Sequence, residues 1–163
     1  MASDLYQAPD YFNVDELLTD EHKLIRDSVR AWVKKEVSPI IEQHAQEGTF
    51  PQHLVKELGT LGVFGPTIPQ KYGGGGLDYI SYGLMMQELE RGDSGIRSAA
   101  SVQGSLVMFP INEFASEVQK MKWLPGLASG DLLGCFGLTE PNHGSDPSNM
   151  ECKIVDKGDH YIL

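Results

Sequence analysis

Cysteine is nearly absent from this chain of 163 residues: only Cys135 and Cys152 occur. Two thiols build no disulfide framework, and neither sits at a zinc-binding spacing. The expectation is two reduced, structural cysteines and no metal site. Positive charge is scarce as well. Thirteen Lys and Arg stand against 23 Asp and Glu, a net charge of −10, which excludes the basic face that non-specific nucleic-acid binding needs. No apolar run approaches the roughly 20 residues that span a bilayer. The N-terminus carries Asp4, Asp10, Asp15 and Glu16, and its first basic residue is Lys23. Secretory and mitochondrial leaders are basic and poor in acids, so a cytoplasmic protein is expected, or a mitochondrial matrix one if a transit peptide has been removed.

What is present is an ordinary globular composition. The length suits one domain, or one and part of a second, and buries roughly 70% of the unfolded surface. Residues 1–18 read as a polar arm. Thr19 is placed to cap a helix whose first turn holds Asp20 and Glu21. Leu24, Ile25, Val29, Trp32, Val33 and Val37 recur at helical spacing, and Lys23, Arg26, Arg30 and Lys34 form an opposite face expected to be solvated. Pro39 ends or kinks this helix, and residues 40–46 continue it. A short second helix is predicted from Pro51 through Leu58. A third spans Asp78 to Arg91, with Tyr79, Leu84, Met85 and Leu89 inward. A fourth runs from Arg97 to Met108 and is ended by Pro110. Ser116 with Gln119 is a capping box opening a fifth, whose apolar set is Val118, Met121 and Trp123. The four glycines at 73–76 lack the Lys-Ser/Thr of a phosphate loop and follow no strand. From Asp131 the period changes: "LLGCFGLTEP" reads as a buried strand, and "MECKIVDKG" with "HYIL" as two strands joined at Lys157-Gly158.

Two stretches carry chemistry. Residues 94–111 hold a single charge, Arg97, among small and apolar side chains. A helix so poor in charge is expected to be buried, and a buried guanidinium requires a partner. Either Glu90, one heptad back, pairs with it, or Arg97 lines a cavity and meets a ligand carboxylate, with Ser101 at i+4 on its face and Ser98 beside it. The second stretch is "CFGLTEPNHGSD", a strand followed by a turn rich in Thr, Ser, Asn, Gly and Pro. Its amides and the hydroxyls of Thr139 and Ser145 suit a heteroaromatic ring and a pyrophosphate. His143 reads as a loop histidine.

A helical region giving way to "FGLTEP" and then Gly144-Ser145-Asp146 resembles the acyl-CoA dehydrogenase family. "LGVFGPTIPQKYGGGGLDYISYG" and "KWLPGLASGDLLGCFGLTEP" support the resemblance, which extends from Leu17 onward. Within that family "ELERGDSGIRSAASVQGSLVM" is similar to the branch acting on glutaryl-CoA. The resemblance implies a mainly α fold: an α-helical bundle domain over residues 19–131, then the first strands of a β-barrel-like middle domain over residues 132–163. It implies FAD, contacted by Phe136, Leu138, Thr139, Gly144 and Ser145. It implies a glutaryl-CoA substrate contacted by Arg97, Ser98, Ser101 and Ser145, dehydrogenated and decarboxylated to crotonyl-CoA. Electrons would pass to an electron-transfer flavoprotein, and the complete enzyme would be a homotetramer. The family's catalytic base, a glutamate, is expected downstream of Leu163, as is the Trp-Ile-Thr segment that covers the flavin. No catalytic residue is therefore expected in this chain, and residues 1–163 alone are expected to bind FAD poorly. The alternatives are a short-chain acyl-CoA dehydrogenase or oxidase with Arg97 paired internally, and a non-catalytic helical binding module.

Overall fold

Thr19 starts the first helix through a reciprocal cap. Its hydroxyl accepts the His22 N–H at 3.2 Å, and His22 Nδ1 accepts the Thr19 N–H at 3.3 Å. The structure, a computed structural model, describes residues 9–163; the first eight residues of the expected arm lie outside them. The remainder of the arm includes a single 3₁₀ turn at Val14–Leu17. Helix α1 (Asp20–Trp32) runs on through a π turn at Val33–Val37. There follow α2 (Ile41–Glu47), α3 (Leu54–Leu61), a 3₁₀ turn at Gln70–Tyr72 and α4 (Tyr79–Gly92). Helix α5 (Ser94–Ser101) continues through π turns over Val102–Met108 into α6 (Phe109–Phe114), and α7 (Glu117–Ala128) closes the helical region. The only strands among the described residues are β1 (Val155–Asp156) and β2 (Tyr161–Ile162), antiparallel with Val155 opposite Ile162. The protein is mainly helical.

The core forms where the apolar stripes meet. Val29, Val33 and Val37 share one cluster with Met85 and Leu89 of α4, Leu54 and Leu58 of α3, Ile96, Ala100 and Met108 along α5 and its continuation, and Leu124 and Leu127 of α7. Each of the Val, Leu, Ile and Met side chains among these, fully removed from water, contributes roughly 1.5–3 kcal/mol. Helices α1 and α4 run side by side in the same direction, His22 meeting Asp78 at their starts and Arg30 meeting Glu88 near their ends. They approach closely because α4 ends on Gly92: a Cβ there would stand 2.5 Å from Val33 Cγ1.

Several expectations need correction. Leu24 (68% exposed) and Tyr79 (68%) face solvent, as do Val118 (79%) and Met121 (57%) of α7, whose buried residues are instead Leu124, Leu127 and Ala128. The second helix begins at Leu54, three residues later than predicted, because Pro51 and Gln52 spend their carbonyls on a turn to Leu54 and Val55. Pro110 does not end the helix. It falls in the first turn of α6, where its missing N–H costs little. The basic face of α1 is not merely solvated: Arg26 pairs with Asp15 and Asp27, and Arg30 reaches the fully buried Glu88. The run "LLGCFGLTEP" is neither strand nor buried. Leu133 is 64%, Phe136 48% and Leu138 39% exposed, and among the described residues no strand pairs with it; its backbone is held only near its ends, at Leu132, Gly134 and Glu140. Cys135 and Cys152 are free but exposed, so they are not structural cysteines.

The hairpin at Lys157-Gly158 forms as its sequence indicates. Gly158 takes φ +92° and its N–H donates to Asp156 Oδ1 at 2.7 Å. The glycine run 73–76 turns its amides inward. Gly74, Gly75 and Gly76 donate to the carbonyls of Pro69, Gly65 and Ile68 and thereby close the loop.

Candidate functional site

The one charge of residues 94–111 sits where Asp93 starts α5. Asp93 Oδ1 accepts the Ile96 N–H at 2.8 Å, which fixes the first turn and sets Arg97 on the face toward the end of α4. Arg97 Nε donates to Glu90 Oε2 at 2.6 Å, and Nη1 lies 3.4 Å from Ser101 Oγ. Ser94 Oγ donates to the second oxygen of Glu90 at 2.6 Å. The Arg97 hydrogen bond, seconded by Ser94, holds the Glu90 carboxyl below its ordinary range. The expected internal partner is thus present. Arg97 is nevertheless about one-third exposed, and α5 keeps a partly open face instead of being enclosed. One edge of the guanidinium is engaged by Glu90, while Nη2 makes no hydrogen bond among the described residues. Ser98 and Ser101 are half-buried nearby, and Ser101 donates to the Ser98 carbonyl at 3.2 Å.

The second cluster is residues 136–145. Phe136, Leu138, Thr139, Gly144 and Ser145 are all exposed. The amides of Phe136, Gly137, Leu138, Thr139, Gly144 and Ser145, and the hydroxyls of Thr139 and Ser145, have no hydrogen-bond partner among the described residues. Between these two sets of free donors the chain is held tightly. Glu140 and His143 exchange backbone hydrogen bonds, and the Glu140 carboxylate accepts the N–H groups of Glu151 at 2.8 Å and Cys152 at 2.9 Å. Glu140 therefore works as a clamp on the turn. His143 Nε2 lies 3.4 Å from Glu151 Oε1 within the same turn.

No hydrogen bond joins Arg97, Ser98 or Ser101 to residues 136–145 among the described residues. The link between the two clusters is Gln103, which the sequence reading did not single out. Its side chain is 2% exposed. Nε2 donates to the carbonyls of Leu127 at 2.9 Å and Leu132 at 2.8 Å, and Oε1 accepts the Gly134 N–H at 2.9 Å. The available signal was one long polar side chain inside "SAASVQGSLVMF". An apolar cleft of about 220 Å³ lies between Phe64, Tyr79, Tyr82 and Phe109 over Gly104, and contains none of the predicted site residues.

A helical domain whose last helices hand the chain to an extended, donor-rich segment defines the class. Residues 19–131 match the acyl-CoA dehydrogenase N-terminal domain, and the chain belongs to the acyl-CoA dehydrogenase family. It is 43% identical over 148 residues to a probable acyl-CoA dehydrogenase (YngJ) of Bacillus subtilis, covering 90% of this chain and 38% of that protein. It is 37% identical over 146 residues to the human mitochondrial short-chain specific acyl-CoA dehydrogenase, covering 90% and 35% respectively. Among solved structures it is similar to a glutaryl-CoA dehydrogenase from Mycobacterium smegmatis in complex with FADH2, with 47% identity and a TM-score of 0.89 over 93% of this chain and 39% of that one. The chain thus spans less than two-fifths of the length of these relatives. No helix among the described residues is long and apolar enough to cross a membrane.

Proposed function

We propose that this chain is the substrate-selecting, flavin-contacting part of an FAD-dependent glutaryl-CoA dehydrogenase. The observation that carries the substrate is the Arg97 fork. Glu90 engages Nε and so orients the guanidinium, leaving Nη2 and the weakly engaged Nη1 to meet a carboxylate in bidentate fashion. Ser98 and Ser101 add hydroxyls on the same part of α5. A monocarboxylic acyl chain has no group for this fork. The similarity to the mycobacterial glutaryl-CoA dehydrogenase supports the same substrate.

The donor set of residues 136–145 fits FAD. Phe136 and Leu138 offer apolar contact to a ring, the amides around Leu138 and Thr139 with the Thr139 hydroxyl suit its polar edge, and Gly144 and Ser145 suit phosphate oxygens. A Cβ at Gly137 or Gly144 would meet nothing within 4 Å, so the space beside these two residues is open. Bound there, FAD supplies the hydride acceptor for α,β-dehydrogenation. Arg97 holds the distal carboxylate and so fixes how deep the acyl chain lies. The Glu140 clamp keeps the turn rigid, and Ser145 contacts either the flavin or the coenzyme A phosphates. We assign the catalytic base to no residue of this chain. Decarboxylation to crotonyl-CoA, transfer to an electron-transfer flavoprotein and a homotetrameric assembly complete the proposal.

The experiment is Arg97→Met in the full-length enzyme, with kcat/KM measured on glutaryl-CoA and butyryl-CoA. Loss of a charge-assisted pair removes roughly 2–5 kcal/mol for the dicarboxylate alone. Equal loss on both substrates refutes the carboxylate role. That result would favour the second reading, a short-chain acyl-CoA dehydrogenase in which the Arg97–Glu90 pair only joins α4 to α5.

A further inference from the structure

We propose that Gln103 is a positioning residue: it sets the register of the flavin-contacting segment against the helix that presents Arg97. This rests on the flavin reading above. The carboxamide spends three hydrogen bonds on backbone alone, two donated to Leu127 and Leu132 and one accepted from Gly134. Leu127 belongs to α7, while Leu132 and Gly134 bracket the start of the segment that continues to Phe136, Leu138 and Thr139. The side chain is almost fully buried, so no water replaces a lost bond.

Two further observations point the same way. Gly134 sits against Val107, one turn further along the same helical continuation, and a Cβ at Gly134 would collide with that side chain. Among the described residues the segment makes no backbone hydrogen bond beyond Gly134 until Glu140. Its path over the intervening residues is therefore set from its two ends, by Gln103 and Val107 at one and the Glu140 clamp at the other. Because Gln103 and Arg97 share one helix, this hold also ties the flavin-contacting residues to the carboxylate fork. A purely structural residue would support the fold without influencing the ring's environment; Gln103 acts on both.

The test compares Gln103→Leu with Val29→Ala, a core truncation that touches neither cluster, in the full-length protein. FAD affinity and the visible flavin spectrum are measured on the folded fraction. Gln103→Leu, which removes all three hydrogen bonds, is expected to bind FAD about tenfold more weakly, a factor equivalent to about 1.4 kcal/mol, and to shift the flavin bands. Val29→Ala is expected to lower Tm and leave both readouts unchanged. Wild-type affinity and spectrum in Gln103→Leu overturn the proposal. Should that variant not fold, Gln103→Glu, which keeps volume and an acceptor but loses both donors, carries the same comparison. If the wild-type protein takes up no FAD, the flavin reading is what fails. Hydrogen exchange at the Gly134 amide then decides the register role: protection lost in the variant supports it, and protection kept overturns it.

Discussion

Replacing Arg30 by Met strands a carboxylate in the core. Glu88 of α4 has no side-chain exposure, and Arg30 of α1 is its bidentate partner, with Nε to Oε2 at 2.9 Å and Nη2 to Oε1 at 2.8 Å. Removing one partner of a buried pair costs about 3–5 kcal/mol, chiefly because the remaining charge is desolvated without compensation. Arg91 Nε lies 3.6 Å from the same carboxylate and offsets part of this, which places the expected loss near the lower end, about 3 kcal/mol. At roughly 2–4 °C per kcal/mol for a domain of this size, Tm falls by about 6–12 °C. The reverse truncation is milder. Arg30 is 27% exposed and regains water when Glu88→Leu removes its partner. The double variant, with no charge left to strand, should recover much of the Arg30→Met loss. Urea unfolding of the two single variants and the double gives all three values. A loss under about 1 kcal/mol for Arg30→Met, or a double variant no better than it, refutes the desolvation argument.

Asp78 caps α4 by accepting the Ser81 N–H and also accepts from His22 Nε2 at 2.9 Å; the cap and then the His22 hydrogen bond hold its carboxyl down to about 2 from an ordinary 3.8. A folded value below the unfolded one means stability present above pH 3.8 and lost as pH falls toward 2, so Tm in Asp78→Ala should decline less steeply across that interval than in the wild type. Gly59 of α3 faces the backbone carbonyl of Ser129 so closely that any Cβ collides with it. Gly59→Ala should cost about 1–3 kcal/mol or more through overpacking, although Ala is the better helix former, and a neutral or stabilising result in thermal unfolding would contradict that packing.

Element existence was legible wherever local chemistry decides it. The Thr19 and Ser116 caps, the Asp78 start and the Lys157-Gly158 turn are properties of a few neighbouring residues, and each stands where the residues indicate. What was not legible depends on tertiary partners. Leu24 and Val118 fit a helical period and still face outward, because the period sets a stripe's direction but not what covers it. Arg30 looked like part of a solvated face because its partner lies 58 residues away. For Arg97, Glu90 was visible at seven residues' distance as one of two alternatives, and the structure adds that pairing with Glu90 leaves part of the fork unused. Gln103 was invisible for the same reason as Arg30, since all three of its partners are backbone groups from distant turns.

The π turns after α5 explain how one helix serves both clusters. In a regular α-helix each successive fourth residue drifts around the axis, so Ser105 would move off the face that Arg97 and Ser101 share. A π turn has more residues per revolution, and it retards that drift over Val102–Met108. Ser105 donates to the Ser101 carbonyl at 2.5 Å, the i to i−4 bond that Ser28 and Thr60 also make in regular helix, and lies one turn beyond Ser101, which Arg97 meets. Within the π stretch Gln103 and Gly104 are buried, Gln103 meeting Leu132 and Gly134, and a Cβ at Gly104 would stand 2.7 Å from the Phe64 carbonyl. The wider turns cost regular hydrogen bonding, and through them a single helical run carries Arg97 near its start and Gln103, which holds the start of the donor-rich segment, within the π stretch. Pro110 belongs to this arrangement. Placed in the first turn of α6, it has no N–H to lose and cannot restore the regular α ladder across that junction, so the irregular stretch is written into the sequence at its C-terminal end.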